Sequence, residues 1–334
     1  MKSKLFLGLI VVIMVFTSAC GGSKPTEQKL DELKITMKNN MSYGPILIAE
    51  AEGYFTEFGI QMEYVSFDQN TEALALLLSG STDVYAGTLN VGFLNTISGE
   101  ENFKAVADRG YIGQGECTYQ AIVIGKDLFD SGVVNGPEDL AGQTFSVTTG
   151  GPSAFLLDKY LAQGGLSEKD IITTNIPTAS EIEGYANKSI SGSVAPEPNL
   201  TSILESGNAV ILARAEDVLG IYQSGIIAFG KNLLVDDPGL GARFLAAYLK
   251  GVHQYNEGKT DRNMQIMIDA TGETRELLQA ACWPPVREDG MIDFNGVDPF
   301  QQWAISSGLL ENPVISEQFF DPSILTAAQD LLNP

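Results

Sequence analysis

Two hydrophobic periods alternate along the chain from residue 33 onward. Residues 60–64 (IQMEY) place apolar side chains at every second position, which is the period of a β-strand. Residues 72–78 (EALALLL) are strongly apolar and end at a Ser-Gly pair, which is typical of a helix and its stop signal. This first half therefore predicts strands at 33–37, 60–64, 83–86, 104–108 and 119–124, and helices that begin at Pro45 and Glu72.

The same rhythm begins again after residue 143. It predicts strands at 144–147, 171–175, 192–195, 209–213 and 226–229, helices at 153–162 and 199–205, and further helical segments that include 240–255. Repeated strand–helix–strand units predict the α/β class, with mainly parallel sheets and helices on both faces. The 334 residues are too many for one small core, so we expect two lobes.

The N-terminus departs from this rhythm. Residues 5–16 carry no polar side chain, follow two lysines and precede a short run of small residues, which is the order of a secretory signal. A spanning helix needs about 20 apolar residues, so this segment is too short to stay in a bilayer. We expect residues 1–19 to be a signal peptide.

Cys20 ends the small-residue run and resembles the cysteine of a bacterial lipobox. Residues 20–32 would then be a lipidated N-terminus and a polar tether that holds the protein on the outer face of the cell membrane. Thr17 stands where a lipobox usually has leucine, so ordinary cleavage after Ala19 is the alternative.

Charge and residue counts exclude several function classes. The formal net charge is −22, which repels nucleic acid, so we expect no nucleic-acid partner. His253 is the single histidine, and the HExxH, paired CxxC and GxSxG motifs do not occur. We therefore expect no enzyme, no cofactor and no metal site. Outside the cell, Cys117 and Cys282 are able to pair, and their distance in the fold decides whether they do.

Four segments carry a family resemblance. In chain order, the segments are GPILIAEAEGYFTEFGIQMEYV, EALALLLSGSTDVYAG, EDLAGQTFSVTTGGPSAFLLDKYLAQGGLSEKDI and SGSVAPEPNLTSILESG. In this order they resemble the substrate-binding proteins of bacterial ABC importers, in the branch with riboflavin-binding, formylaminopyrimidine-binding and sulfonate- or taurine-binding lipoproteins. The resemblance implies a two-lobed periplasmic-binding-protein-like fold with two hinge strands, and a permease and an ATPase as partners. It places lobe one at 33–115 plus 230–334 and lobe two at 116–229, with the crossings near 119–124 and 226–229.

Ligands of open α/β sheets bind beyond the carboxyl ends of the strands. In lobe one this rule selects Asn40 and Tyr43 after the first strand, and Thr88 and Asn90 after the strand at 83–86. Asn40 and Thr88 are equally explained as helix caps. The aromatic side chains of Tyr111 and Tyr119 are expected at the cleft as stacking surfaces.

In lobe two the most informative loop is TTGGPS, which includes Thr149, Gly151 and Ser153. Two glycines allow a ligand to approach the backbone, and the helix that follows directs free N–H groups at the gap. Glu197, in VAPEPN, matches a Glu-Pro step that recurs in the family, where the acid faces the cleft. Its alternative role is a solvent-exposed acid at the start of a helix.

Aromatic candidates outnumber cationic ones, which favours a heteroaromatic vitamin or precursor as the ligand. The resemblance places riboflavin first and a thiamine pyrimidine precursor next. A sulfonate, taurine or nitrate is the alternative, for which Arg109 or Arg214 would supply the charge, although each is more often a surface ion-pair partner. A pyrimidine synthase of the same fold is disfavoured by the export signal and the single histidine.

Overall fold

The computed structural model describes residues 29–67, 69–113, 115 and 117–333. The predicted signal peptide, Cys20 and most of the predicted tether lie outside these residues. The strands are β1 (Asp31–Thr36), β2 (Ile60–Val65), β3 (Val84–Thr88), β4 (Lys104–Ile112), β5 (Gln120–Gly125), β6 (Thr144–Ser146), β7 (Ile172–Thr174), β8 (Gly192–Pro196), β9 (Ala209–Arg214) and β10 (Tyr222–Phe229).

The helices are α1 (Gly44–Ala51), α2 (Tyr54–Glu57), α3 (Asn70–Leu78), α4 (Val91–Gly99), α5 (Lys126–Asp130), α6 (Pro152–Gln163), α7 (Glu181–Ala186), α8 (Asn199–Glu205), α9 (Ala215–Leu219), α10 (Pro238–Asn256), α11 (Asp261–Thr271), α12 (Arg275–Ala280), α13 (Asp298–Ser306), α14 (Ser316–Phe319) and α15 (Pro322–Leu332). Proline in the first turn of α1, α6 and α10 explains where these helices begin, because proline lacks the N–H that a first turn leaves unpaired. The strands and helices predicted from the hydrophobic pattern are confirmed, with small shifts at their ends.

Two five-stranded sheets organise the chain, with strand orders β2-β1-β3-β10-β4 and β7-β6-β8-β5-β9. In each sheet one strand, β10 or β5, runs antiparallel to its neighbours, and the other paired strands are parallel. The two sheets are mixed but mainly parallel, with helices on both faces, as expected for this fold class.

Strand β10 corrects the predicted lobe boundary. The family resemblance placed residues 226–229 at the end of lobe two, as one of two hinge strands. In the structure β10 pairs with β3 and β4 inside the first sheet, and β5 lies inside the second sheet. The chain therefore crosses between the lobes in the connections β4–β5 and β9–β10. Strand β10 belongs wholly to lobe one, and β5 belongs wholly to lobe two.

The apolar core of the first sheet continues into the second lobe at one corner. Phe155 of α6 packs against Tyr222, Phe300 and Trp303, with ring centroids 5.5, 5.5 and 5.6 Å away. All four side chains are buried in one cluster that includes residues of both lobes. This packing holds the lobes together along one side of the cleft.

Cys117 and Cys282 form a disulfide, with their Cα atoms 5.6 Å apart. Cys117 lies in the β4–β5 crossing, and Cys282 begins a C-terminal segment that runs alongside β4 in space. The Tyr111 N–H donates to the Pro285 carbonyl at 3.1 Å within this segment. The bridge that the sequence left open therefore ties the crossing between the lobes to the edge of lobe one. Among the described residues, no helix is both long and apolar enough to cross a membrane.

Candidate functional site

A cavity of about 400 Å³ lies between the two sheets. Its walls are the loops that follow β1, β2 and β3 in lobe one and β6 and β8 in lobe two, where parallel strands present their carboxyl ends. The cavity therefore lies at the strand ends where the rule applied to the sequence expects a ligand. The lining is Ser42, Gln69, Asn70, Thr71, Thr88, Asn90, Val91, Gly92, Arg109, Gly110, Tyr119, Gln120, Thr148, Thr149, Gly150, Gly151, Pro152, Ser153, Pro196, Ser224, Gly225 and Pro284.

Lobe one contributes a set of hydrogen-bonded amides and hydroxyls. The Asn70 side chain donates to Thr88 Oγ1 at 3.0 Å, and the Asn90 side chain donates to the Thr88 carbonyl at 3.0 Å. Asn90 Oδ1 also accepts the Phe93 N–H at 2.9 Å and so caps α4. Thr88 and Asn90 thus line the cavity as predicted, and these bonds hold their side chains in place.

Lobe two contributes the glycine loop before α6. Gly150 has φ +68°, a left-handed conformation that residues with a Cβ rarely adopt. Gly151 is the N-cap of α6, and Ser153 Oγ accepts from the Gln120 side chain at 3.2 Å. Thr149, Gly151 and Ser153 line the cavity, as the sequence pattern predicted. The first turn of a twelve-residue helix therefore faces the cavity.

One backbone hydrogen bond joins the two lobes at the mouth of the cavity. The Val91 N–H, at the start of α4 in lobe one, donates to the Gly150 carbonyl in lobe two at 3.0 Å. The position where a Cβ of Gly150 would lie is 3.9 Å from the Val91 Cβ, so the loops are in van der Waals contact. The loops of the two lobes therefore touch across the cavity in this structure.

Arg109 is the one cationic side chain in the described lining. It is 4% exposed, and its guanidinium donates from Nε and Nη2 to the Gly87 carbonyl, at 3.1 and 2.9 Å, and from Nη1 to the Ser42 carbonyl at 2.8 Å. The expectation that Arg109 forms a surface ion pair is wrong. Arg214, the other candidate cation, is exposed and lies outside the cavity.

A β-bulge explains why Arg109 reaches the cavity. On β4, Asp108 pairs with Ile226 and Gly110 pairs with Gly225, so Arg109 has no partner residue on β10. Gly110 has φ +148°, which favours glycine, and a bulge of this kind redirects the side chain beside it. The buried Asp108 carboxylate accepts the Gly110 N–H at 2.8 Å, which holds the bulge.

Tyr119 is the aromatic residue of the described lining, as the sequence predicted. Burial raises the pKa of Tyr119, partly opposed by the charge of Arg109. The phenol is therefore neutral at physiological pH. It offers a ring face for stacking and a hydroxyl for hydrogen bonding.

Four predicted site residues lie outside the cavity, and two of them are next to its wall. Asn40 Oδ1 accepts the Ser42 N–H at 3.0 Å and the Ser42 hydroxyl at 2.7 Å, so Asn40 caps a turn, which was its alternative role. Tyr43 is 4% exposed and lies under the Arg109 guanidinium, 4.5 Å from ring centroid to Cζ. Burial raises the pKa of Tyr43, and Arg109 partly opposes that shift. Asn40 therefore holds Ser42, and Tyr43 packs against Arg109, so each contacts a residue that lines the cavity.

The other two lie at the hinge. Tyr111 packs its ring beneath the Arg287 guanidinium, 4.3 Å away, beside the disulfide. Glu197 is 8% exposed, and its carboxylate accepts the Cys282 N–H at 3.0 Å and the Thr201 hydroxyl at 2.9 Å. Glu197 therefore joins lobe two to the C-terminal segment and does not face the cleft.

Sequence reasoning missed several polar residues of the lining. Asn70 and Gln69 follow β2, and the strand-end rule would have selected them if it had been applied to that strand. Ser224 also reaches the cavity at an irregular position of β10, where its hydroxyl donates to the Gly110 carbonyl at 3.0 Å. Gln120 begins β5 and faces α6.

Two α/β lobes that close on a cavity define the two-lobed periplasmic-binding-protein-like fold, and solved structures share it. A ligand binding component of an ABC-type import system from Staphylococcus aureus matches with a TM-score of 0.74 and 17% identity, over 89% of this chain and 99% of that one. The periplasmic aliphatic sulphonate binding protein SsuA from Escherichia coli matches with a TM-score of 0.69 and 14% identity, over 87% of this chain and 92% of that one.

The sequence model of the NMT1-like family matches residues 26–219, which is more than half of the chain, and the chain belongs to this family. A curated relative is the riboflavin-binding protein RibY of Chloroflexus aurantiacus. It is 26% identical over 268 residues, which cover 74% of this chain and 72% of the relative.

Proposed function

We propose that this chain is the extracytoplasmic substrate-binding protein of an ABC importer. The observation that carries the proposal is a cavity of about 400 Å³ lined by both lobes, which the Val91–Gly150 hydrogen bond joins beside it. Cavities of about 300–1,000 Å³ are typical of small-molecule sites. Structural relatives that are themselves binding components of import systems, and the export signal predicted in residues 1–19, support the same role.

Capture proceeds by lobe closure, without covalent chemistry. A ligand that contacts Thr88 and Asn90 in lobe one and Thr149 and Ser153 in lobe two binds the closed form better than the open form, and this difference shifts the population. Among the described lining residues there is no carboxylate, histidine or cysteine to act as a general base or nucleophile. The closed protein, anchored through lipid on Cys20, delivers its ligand to a permease and an ATPase.

Riboflavin is the ligand. The name of the 26% identical relative supports it, and so does the chemistry of the cavity. Tyr119 offers a face to a flat ring, and the hydroxyls and amides of the lining match a polyhydroxylated chain. A thiamine pyrimidine precursor shares the ring chemistry but is smaller and fills less of the volume.

A sulfonate- or nitrate-type anion is the second candidate, and Arg109 is the observation that favours it. The guanidinium lies in the cavity wall, and no acidic side chain of the described residues forms an ion pair with it. Size favours riboflavin, because taurine or nitrate leaves most of the cavity unfilled.

Calorimetric titration of the purified protein with riboflavin, a formylaminopyrimidine, taurine and nitrate tests the proposal. We expect saturable one-site binding of riboflavin, and about 2.7 kcal/mol of added stability at a concentration 100 times its Kd. Tyr119→Ala should weaken binding, and Tyr111→Ala, which removes a ring just outside the cavity, is the matched control. Saturable binding of taurine or nitrate without binding of riboflavin would show that the second candidate is correct.

A further inference from the structure

Arg109 carries a charge that the described protein does not neutralise. The guanidinium makes four hydrogen bonds, to the Gly87 carbonyl and to the carbonyl and hydroxyl of Ser42. All these acceptors are neutral. A guanidinium has five N–H donors, so among the described residues one N–H of Nη2 has no acceptor. Burial of an unpaired charge is unfavourable, and an electron-rich group of the ligand relieves it.

The surroundings hold the guanidinium in one place. The β4 bulge directs the side chain into the cavity, the Tyr43 ring lies below it, and Asn40 fixes Ser42, which accepts from Nη1. A Cβ at Gly225 would lie 3.1 Å from Nη2 and 3.2 Å from Cζ, so glycine there leaves room for the charged group. A positioned donor of this kind loses little freedom when it binds a ligand.

We propose that Arg109 is the specificity-determining residue of the cavity and that it binds an oxygen-bearing acceptor edge of the ligand. The inference rests on the proposed function and deepens it. For riboflavin the acceptor edge is the carbonyl side of the ring system, and for a sulfonate it is the anionic head. Both share the chemistry of electron-rich oxygen facing an N–H donor. A cationic ligand such as thiamine is excluded, because two positive charges would meet in a buried site.

Asn40 and Gly225 are positioning residues in this arrangement. Asn40 lies outside the cavity, and Gly225 lines it without a side chain that could bind the ligand, so the role of both is to position the guanidinium. Gly225→Ala should push Nη2 out of place while leaving the charge in the cavity. Gly99→Ala is its matched control, because a Cβ at Gly99 meets nothing within 4 Å and the residue ends α4 away from the cleft.

Calorimetric titration of riboflavin, taurine and thiamine into the wild type and into Arg109→Gln, Arg109→Lys, Gly225→Ala and Gly99→Ala tests the inference. A hydrogen bond to a charged group contributes about 1.5–3 kcal/mol, which corresponds to about 10- to 150-fold in Kd. We expect a loss of this size for riboflavin in Arg109→Gln, a partial loss in Arg109→Lys and Gly225→Ala, and no change in Gly99→Ala. Thiamine should not bind to the wild type.

The outcomes separate the inference from the proposed ligand. If taurine binds and riboflavin does not, and Arg109→Gln abolishes taurine binding, the role of Arg109 stands and riboflavin is wrong. If riboflavin binds to folded Arg109→Gln with a Kd within threefold of the wild type, the role of Arg109 is wrong and the proposed function stands. Saturable binding of thiamine to the wild type also overturns the inference. If Arg109→Gln does not fold, the two glycine variants decide the role of Arg109. Weaker riboflavin binding in Gly225→Ala but not in Gly99→Ala supports it, and wild-type binding in both overturns it.

Discussion

Reduction of the Cys117–Cys282 disulfide should destabilise the protein strongly. The bridge joins residues 165 positions apart, and it connects the β4–β5 crossing to the segment along β4. In the chain-entropy model a loop of this length corresponds to about 5 kcal/mol at 25 °C, near the upper end of what native disulfides contribute. We expect a loss of about 3–5 kcal/mol, or a fall in melting temperature of about 5–8 °C for a chain of this length.

The assay is thermal unfolding followed by circular dichroism, with and without a reductant. Cys117→Ser combined with Cys282→Ala should melt at the temperature of the reduced wild type and be insensitive to reductant. Cys20→Ser is the matched control, because Cys20 is the one cysteine outside the bridge, and this variant should keep the full shift. The reasoning is refuted if wild-type protein that mass spectrometry shows to be fully reduced melts at the same temperature as the oxidised protein.

Three further variants test the loop, the hinge contact and a surface ion pair. Gly150→Ala places a Cβ on a residue in the left-handed conformation at the contact between the lobes, and calorimetry should show a Kd about 5- to 30-fold higher. The control is Gly272→Ala, at the end of a helix with φ +75°, which should lower stability without changing Kd. Glu197→Gln weakens charged hydrogen bonds outside the cavity, so denaturant titration should show a loss of about 1–3 kcal/mol, with Kd unchanged within about threefold. Hydrogen bonds from Arg262 and Gln254 lower the pKa of Glu52, so the pair stabilises the fold while Glu52 is ionised. Arg262→Ala should therefore cause a small loss of stability at pH 7 that disappears as the pH falls through the lowered pKa of Glu52, and an equal loss at pH 3 in urea unfolding would contradict the assignment.

The hydrophobic pattern predicted the strands and helices, and the strand ends predicted the edge of the sheets at which the cavity lies. Both depend on local period and on the direction of parallel strands, which the sequence carries directly. Thr88, Asn90 and the glycine loop were found for this reason, since each follows a strand and precedes a helix.

The position of Arg109 could not be predicted in the same way. Its direction depends on a bulge between β4 and β10, and these strands are more than a hundred residues apart in the sequence. Glu197 likewise binds the backbone of Cys282, 85 residues later in the chain. Tyr43 and Ser42 are neighbours in one turn, and only the packing of the turn decides that Ser42 lines the cavity and that the Tyr43 ring lies in the core.

Amide hydrogen exchange with and without riboflavin tests the central claim most directly. If the ligand is held between closed lobes, riboflavin should slow exchange at residues 88–92 of lobe one and at 148–153 of lobe two together, and more strongly there than in α11. Slower exchange in one lobe alone, or at neither segment when the ligand is saturating, would contradict capture by closure on this cavity.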